Sequence, residues 1–243
     1  MQYPFLDNNE FILFDYLPGS SGQLLLRLWS ELDTKIYTDY EDILADYTLS
    51  DHPASREVMY NVYVPKRYFN WYFDKCQPDT IEEQLAFFEL LGTQLVAQSQ
   101  RWNWKTKNKK FFYFDDNYKL ENTRILYCIH TMGINIDFSK LTKLKPNLKF
   151  ISIVPQTARG LDYQVNRCSA CYPGKDSYTG AYIFNNQQKH TTIFDFQTCL
   201  VDKDTDKILR WLKRSIGDTY DESAEEKCIE ILNTYYKEIV DNV

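Results

Sequence analysis

Residues 11 to 33, FILFDYLPGSSGQLLLRLWSELD, set the strongest constraint on the fold. An apolar run rich in β-formers stops at PGSSG, and the apolar residues beyond it, Leu24, Leu25, Leu28 and Leu32, recur at helical spacing. Strand, glycine-serine turn and helix therefore follow one another in that order. Two further runs, Arg124 to Thr131 (RILYCIHT) and Lys149 to Pro155 (KFISIVP), share the near-continuous apolar character of strands buried on both faces. Strands of this kind, alternating with helical patterns, predict an α/β fold with a mostly parallel sheet and helices on both faces.

Between the first two sheet strands the pattern is helical and rich in tyrosine. Its best helix opens at Thr80 with TIEE, a capping box in which Glu83 reaches back to the cap, and continues through Ile81, Leu85, Phe88, Gly92 and Leu95. This predicts a helical insertion after the first βα unit, over about residues 38–105, within a single domain of residues 1–243. After the third strand, TARGLDYQVNRCSACY reads as a helix ended by Pro173 and Gly174, and KDSYTGAYIFNNQQKH as an exposed loop with a short helical piece. TTIFDFQTCLV reads as another strand, leading to an acidic turn. Two helices close the chain: Thr205 to Ile216, stopped by Gly217, and a second opened by the capping box SAEE from Ser223 and striped by Cys228, Leu232, Tyr235 and Ile239.

Composition narrows the partners. With 28 basic against 34 acidic residues the net charge is -6, and no long basic block follows a nucleic-acid backbone, so duplex DNA or RNA is not an expected partner. No run reaches the roughly 18 apolar residues of a membrane span, and MQYPFLDNNEF lacks the basic start and apolar middle of a signal peptide. A soluble, cytoplasmic protein is expected. The six cysteines are scattered and do not form a disulfide framework.

In an open parallel sheet, ligands sit beyond the carboxyl ends of the strands, where backbone N–H groups at a helix N-terminus converge on an anion. PGSSGQ fits a phosphate or sulfate cradle: Ser20 and Ser21 add hydroxyls, while Gly19 and Gly22 permit close backbone approach. A tight turn with a serine N-cap fits the same residues. An ATPase loop does not. Its pattern needs lysine and then a hydroxyl residue after the last glycine, and here Gln23 and Leu24 follow Gly22.

The order of these motifs along most of the chain resembles the sulfotransferase family, whose fold is related to the nucleotide kinases, and is similar to poorly characterised relatives encoded by bacterial viruses. In that family a first loop, PxSGTT or a near variant, grips the 5′-phosphosulfate of the donor 3′-phosphoadenylyl sulfate, and PGSSGQL is similar to it. The resemblance implies a donor site at Gly19, Ser20, Ser21, Gly22, Gln23 and Leu24. RILYCIHT looks like the family's strand ending in Thr-His, with His130 in the place of the catalytic base. KFISIVPQTAR looks like the next strand, where the family carries an arginine and, eight residues on, a serine that bind the 3′-phosphate. Here Pro155 and Tyr163 stand at those positions, and Arg159 and Arg167, eight residues apart in the following helix, are the substitutes. The first loop also has Gly19 or Ser20 where the family has a cation, and Gln23 where it has threonine.

The resemblance implies transfer of a sulfuryl group from 3′-phosphoadenylyl sulfate to a hydroxyl of a sugar or small metabolite, without a metal, in the host cytoplasm for a virus-encoded protein. The alternative is a catalytically inactive relative acting as a binding or assembly component with a protein partner, for which the missing loop cation and missing arginine-serine pair argue. Arginines converging on PGSSG favour the transferase; a loop mouth closed by aromatic side chains favours the inactive relative. A nucleotide kinase of related fold fails on the absent lysine.

Three other features stand apart from this scheme. Cys168 and Cys171 form a single CxxC with no second pair, which reads as two cysteines on a helix. RWNWKTKNKKFFYF, residues 101–114, interleaves basic and aromatic residues and has the composition to stack bases or bind an anionic glycan, or else to form a solvated loop leading into an aromatic strand. ILRWLKR, from Ile208 to Arg214, reads as the amphipathic face of a surface helix, with Lys207 and Arg210 near enough to one another to approach a phosphate.

Overall fold

The computed structural model describes residues 2–16, 21–35, 79–102, 109–113, 122, 124–129, 136–171, 192–238 and 240. In chain order the elements are α1 (Pro4–Asn8), β1 (Glu10–Tyr16), α2 (Gly22–Leu32), α3 (Ile81–Ala97), β2 (Gln98–Trp102), β3 (Lys109–Tyr113), β4 (Arg124–Ile129), α4 (Phe138–Leu144) and β5 (Leu148–Ile153). They continue with α5 (Ala158–Cys171), β6 (Thr192–Phe194), α6 (Phe196–Val201), α7 (Thr205–Ile216), two short 3₁₀ turns and α8 (Glu225–Glu238).

β1 is buried at every residue from Phe11 to Tyr16, so both of its faces are covered. It lies inside a four-stranded parallel sheet of order β4-β1-β5-β6. Side chains of a strand alternate between faces, and each face here has its own core. On one, Ile12, Phe14 and Tyr16 of β1 join Ile151 and Ile153 of β5 against Leu24, Leu25, Leu28, Trp29 and Leu32 of α2 and the apolar stripes of α7 and α8. On the other, Phe11 and Leu13 join Leu148 and Phe150 against α1, α3 and α4. Each fully buried leucine or phenylalanine favours this arrangement by roughly 1.5–3 kcal/mol relative to exposure. The α/β class, the parallel sheet and helices on both its faces are what the continuous apolar runs require.

Helix ends follow local chemistry. Thr80 Oγ1 accepts from Glu83 N at 3.2 Å while Glu83 Oε2 accepts from Thr80 N at 3.1 Å, the expected reciprocal box. Gly217 ends α7 with a positive φ of 76°. Aspartates cap three helices: Asp137 on α4, Asp195 on α6 and Asp204 on α7 each accept from the backbone N–H three residues on.

Three expectations need correction. TTIFDFQTCLV is a strand only over Thr192–Phe194, because the Asp195 carboxylate caps a new turn and Phe196, Cys199 and Leu200 are buried from helix α6. Asp221, rather than Ser223, supplies the cap before α8, accepting from Ser223 N at 2.9 Å and Ser223 Oγ at 2.6 Å, and the helix starts at Glu225. The helical insertion ends earlier than position 105, since Gln98–Trp102 is a strand paired antiparallel with Lys109–Tyr113. Strand β4 is described only as far as Ile129. Residues 36–78, 172–191 and Ile239 lie outside the described residues, and with them the exposed loop read at 175–190. Among the described residues no helix is long and apolar enough to cross a membrane.

Candidate functional site

The strand order fixes where a ligand site belongs. From β1 the chain continues to β4 on one side and then to β5 on the other, so the crevice beyond the carboxyl ends of β1 and β5 is the topological switch point. The last rung there pairs Tyr16 with Ile153. Ser21 and Gly22, opening α2, follow one strand; Val154 to Thr157 and α5 follow the other.

Ser21 has φ 55° and ψ 26°, a left-handed conformation uncommon for a residue with a side chain. It is the N-cap residue of α2, yet its hydroxyl makes no capping bond and instead shares a short hydrogen bond with the Tyr235 hydroxyl of α8. Tyr235 Oη also accepts from Arg167 Nη1 at 2.5 Å, and the same guanidinium donates to Tyr163 Oη at 3.3 Å. Arg167 lies 5.5 Å from the centre of the Tyr235 ring and 5.9 Å from that of Tyr163. Burial, reinforced by Tyr163, pushes the Tyr235 phenol well above its ordinary range, and the nearby Arg167 charge offsets this only in part. Tyr235 therefore stays a neutral hydroxyl. One phenol oxygen thus bridges the opening of α2 and an arginine of α5.

Gly22 has a different role from the one expected. A Cβ there would stand 2.3 Å from Tyr16 Cδ1, so the missing side chain lets the Tyr16 ring pack against the first turn of α2. Leu24 is fully buried, and its N–H donates to Ser21 O at 3.0 Å. Gln23 lies in the first turn of α2. Gly19, Ser20 and His130 lie outside the described residues; β4 places Ile129, the residue before His130, in register with Asp15.

Arg159 and Arg167, expected near one face of α5, part company. Arg159 is exposed and pairs with Asp202 Oδ1 at 2.8 Å, beyond the end of α6. Eight residues advance a helix by about 80° beyond two full turns, enough to give the two guanidinia different neighbours. Tyr163, at the position where the family's serine was sought, is buried and holds Arg167.

A polar pair escaped the sequence reading altogether. Asp15 of β1 and Ser152 of β5 are register partners, both fully buried, at the carboxyl end of the sheet on the face otherwise built from Phe11, Leu13, Leu148 and Phe150. The available signal was an acid inside an otherwise apolar strand, since burying a carboxylate costs several kcal/mol unless it is paired or hydrogen-bonded.

The opposite end of the sheet carries a buried cluster of charges. Arg124, opening β4, donates from Nε to Glu10 Oε2 at 2.6 Å, from Nη1 to Asp33 Oδ2 in a short contact, and from Nη1 to Thr219 Oγ1 at 3.2 Å. Asp33 also accepts from Trp29 Nε1 at 2.9 Å, Thr219 Oγ1 at 2.7 Å and Lys35 N at 3.0 Å. Burial works against both ions, but their mutual hydrogen bonding and charge raise the Arg124 pKa and hold the Glu10 carboxyl below its ordinary value. This cluster joins β1, β4, the end of α2 and the turn after α7; it lies away from the switch point and locks the fold.

Neither a family model, a curated protein nor a solved structure matches the chain. Among the described residues, no group of three or more histidines, cysteines, aspartates or glutamates is placed to hold a metal ion. Burial pushes the Cys199 thiol up to about 11 and the Cys228 thiol up to about 12, so neither is a nucleophile near neutral pH. Cys168 and Cys171 both belong to the final turn of α5.

Proposed function

We propose that the carboxyl ends of β1 and β5 form a binding site for a phosphorylated nucleotide, and that the chain is a sulfotransferase-like transferase using 3′-phosphoadenylyl sulfate. The observation that carries this reading is the convergence of Arg167 and the opening of α2 on a single oxygen, that of Tyr235, at the switch point. An anion oxygen placed there meets the positive end of a helix and a guanidinium together. Sulfuryl transfer needs positioning and charge stabilisation more than covalent help. In this scheme Arg167 replaces the family's missing arginine, Ser21 supplies a hydroxyl, and His130 removes the proton from an acceptor hydroxyl of a sugar or small metabolite.

A specific observation favours a second reading, that of a catalytically inactive relative serving as a binding or assembly component. The Tyr235 hydroxyl already satisfies both Ser21 and Arg167, so an aromatic side chain stands where the ligand oxygen would go.

Calorimetric titration with 3′-phosphoadenosine 5′-phosphate separates the two. The transferase reading expects micromolar binding that falls at least tenfold in Arg167→Ala and stays unchanged in Arg159→Ala, whose side chain faces Asp202. No heat at millimolar ligand removes the donor and leaves the second reading.

A further inference from the structure

Two lines of exposed charge lie side by side on α7 and α8. On α7, Lys207, Arg210 and Arg214 recur at helical spacing on the side opposite buried Ile208, Leu209, Leu212 and Ile216. On α8, Glu226 and Glu230 form a second line, opposite buried Cys228, Leu232 and Tyr235. None of these five side chains makes an ion pair or hydrogen bond among the described residues, whereas their neighbours Lys213 and Lys227 are tied to Glu222 and Glu31.

Like charges three or four residues apart on a helix repel, so each line is a small cost to its own helix. The helix dipole accounts for Arg214 in the last turn of α7 and Glu226 at the start of α8. It does not account for Lys207, a cation in the first turn of α7, or for Glu230 in the middle of α8. A facing surface of opposite sign relieves both lines.

The two helices run antiparallel. Thr205, opening α7, shares a hydrogen bond of 3.0 Å with the Tyr236 hydroxyl near the end of α8, while Lys213 near the end of α7 pairs with Glu222 just before α8. The Arg210–Arg214 segment therefore runs alongside the Glu226–Glu230 segment, which also carries Ile229, one of three exposed large hydrophobic residues among the described residues. A surface divided into a basic and an acidic helix is complementary to itself. Rotation of a copy about a two-fold axis parallel to the helices lays α7 of each copy on α8 of the other, with Arg210 and Arg214 facing Glu230 and Glu226. Rotation about the perpendicular axis in the same plane lays like on like. A polyanion on α7 would instead be repelled by the glutamates beside it.

We propose that the outer faces of α7 and α8 are an interaction surface for a second copy of this chain, with Arg210 and Arg214 of each copy against Glu230 and Glu226 of the other and Ile229 enclosed between them. The surface faces away from Ser21 and Arg167, and the inference stands apart from the nucleotide reading.

Sedimentation equilibrium of the full chain tests it. Exposed ion pairs are individually weak and screened by salt, so wild type should show a monomer–dimer equilibrium at about 100 μM protein and about 50 mM salt, shifted to monomer at about 500 mM. The double variants Arg210→Glu/Arg214→Glu and Glu226→Lys/Glu230→Lys each set like charges face to face and should weaken the dimer about tenfold or more. Thermal unfolding should stay nearly unchanged in both, because the four side chains are exposed and hold nothing within the chain. An equimolar mixture of the two variants should dimerise again, since both α7–α8 contacts then join opposite charges. Wild type that stays monomeric under these conditions overturns the proposal, as does a dimer of unchanged strength in either variant. Variants that each lose the dimer and do not regain it when mixed overturn it as well, because α7 then does not face α8.

Discussion

The two ends of the parallel sheet both carry a buried or half-buried arginine, and they use it differently. At the amino end Arg124 meets two carboxylates, Glu10 and Asp33, and Asp33 in turn is held by Trp29, Thr219 and a backbone N–H. At the carboxyl end Arg167 meets the phenol oxygens of Tyr163 and Tyr235, and Tyr235 in turn meets Ser21. Charge neutralised by charge in a dry place stays where it is. An anion can displace the Tyr163 or Tyr235 oxygen from Arg167 without leaving a carboxylate buried alone, whereas displacing Asp33 from Arg124 would leave one. The first arrangement suits a lock and the second a site.

The largest expected effect lies at the lock. Arg124→Ala leaves Asp33, itself fully inaccessible, as an uncompensated buried charge, and should cost about 3–5 kcal/mol in urea unfolding. The same substitution at half-buried Arg167 should cost less, about 1.5 kcal/mol, because the Tyr163 and Tyr235 groups it abandons are neutral hydroxyls rather than a buried carboxylate. Equal losses at the two positions would break the contrast.

A smaller effect separates the charges by pH. The Glu10 carboxyl is held below its ordinary value in the folded chain, so its contribution is complete above the unfolded pKa and disappears as pH falls through the folded one. Wild type should exceed Glu10→Gln by about 1.5 kcal/mol near neutral pH, the value of one charge-assisted hydrogen bond. That gap should hold down to about pH 5 and close below about pH 4. A gap that widens on acidification contradicts the pairing with Arg124.

How much of this was legible in the sequence depends on the range of the interactions. β1, β4 and β5 could be read because each is written as a nearly unbroken apolar run, and α3 and α7 because Thr80, Glu83 and Gly217 mark their ends locally. β2 could not, since QSQRW has no apolar alternation. The strand-to-helix change at Asp195 was hidden because a capping aspartate inside IFDF looks the same as a polar residue on a strand. The end of β1, where a candidate site belongs in an open parallel sheet, was legible from the sequence. Its contents were not: Tyr235 reaches Ser21 across 214 positions and Arg124 reaches Asp33 across 91, distances at which no local pattern survives. The eight-residue spacing of Arg159 and Arg167 misled for a geometric reason, since a helix does not repeat at eight.

The smallest effect sharpens the comparison most, because it removes a single oxygen. Tyr235→Phe keeps the ring in the core that α8 shares with α2 and deletes the hydroxyl that bridges Ser21 and Arg167. Both partners are half-buried, so water can replace the lost bond, and the cost in unfolding free energy should be about 1 kcal/mol. A loss of about 3 kcal/mol or more would mean that the carboxyl-end cluster is as much a lock as the one around Arg124. With the modest loss, calorimetry with 3′-phosphoadenosine 5′-phosphate then becomes informative in a second way. If the phenol oxygen stands where an anion oxygen goes, its removal tightens binding, whereas if it orients Arg167 toward the ligand, its removal weakens binding. The sign of that change tells whether Tyr235 competes with the ligand or helps to hold it.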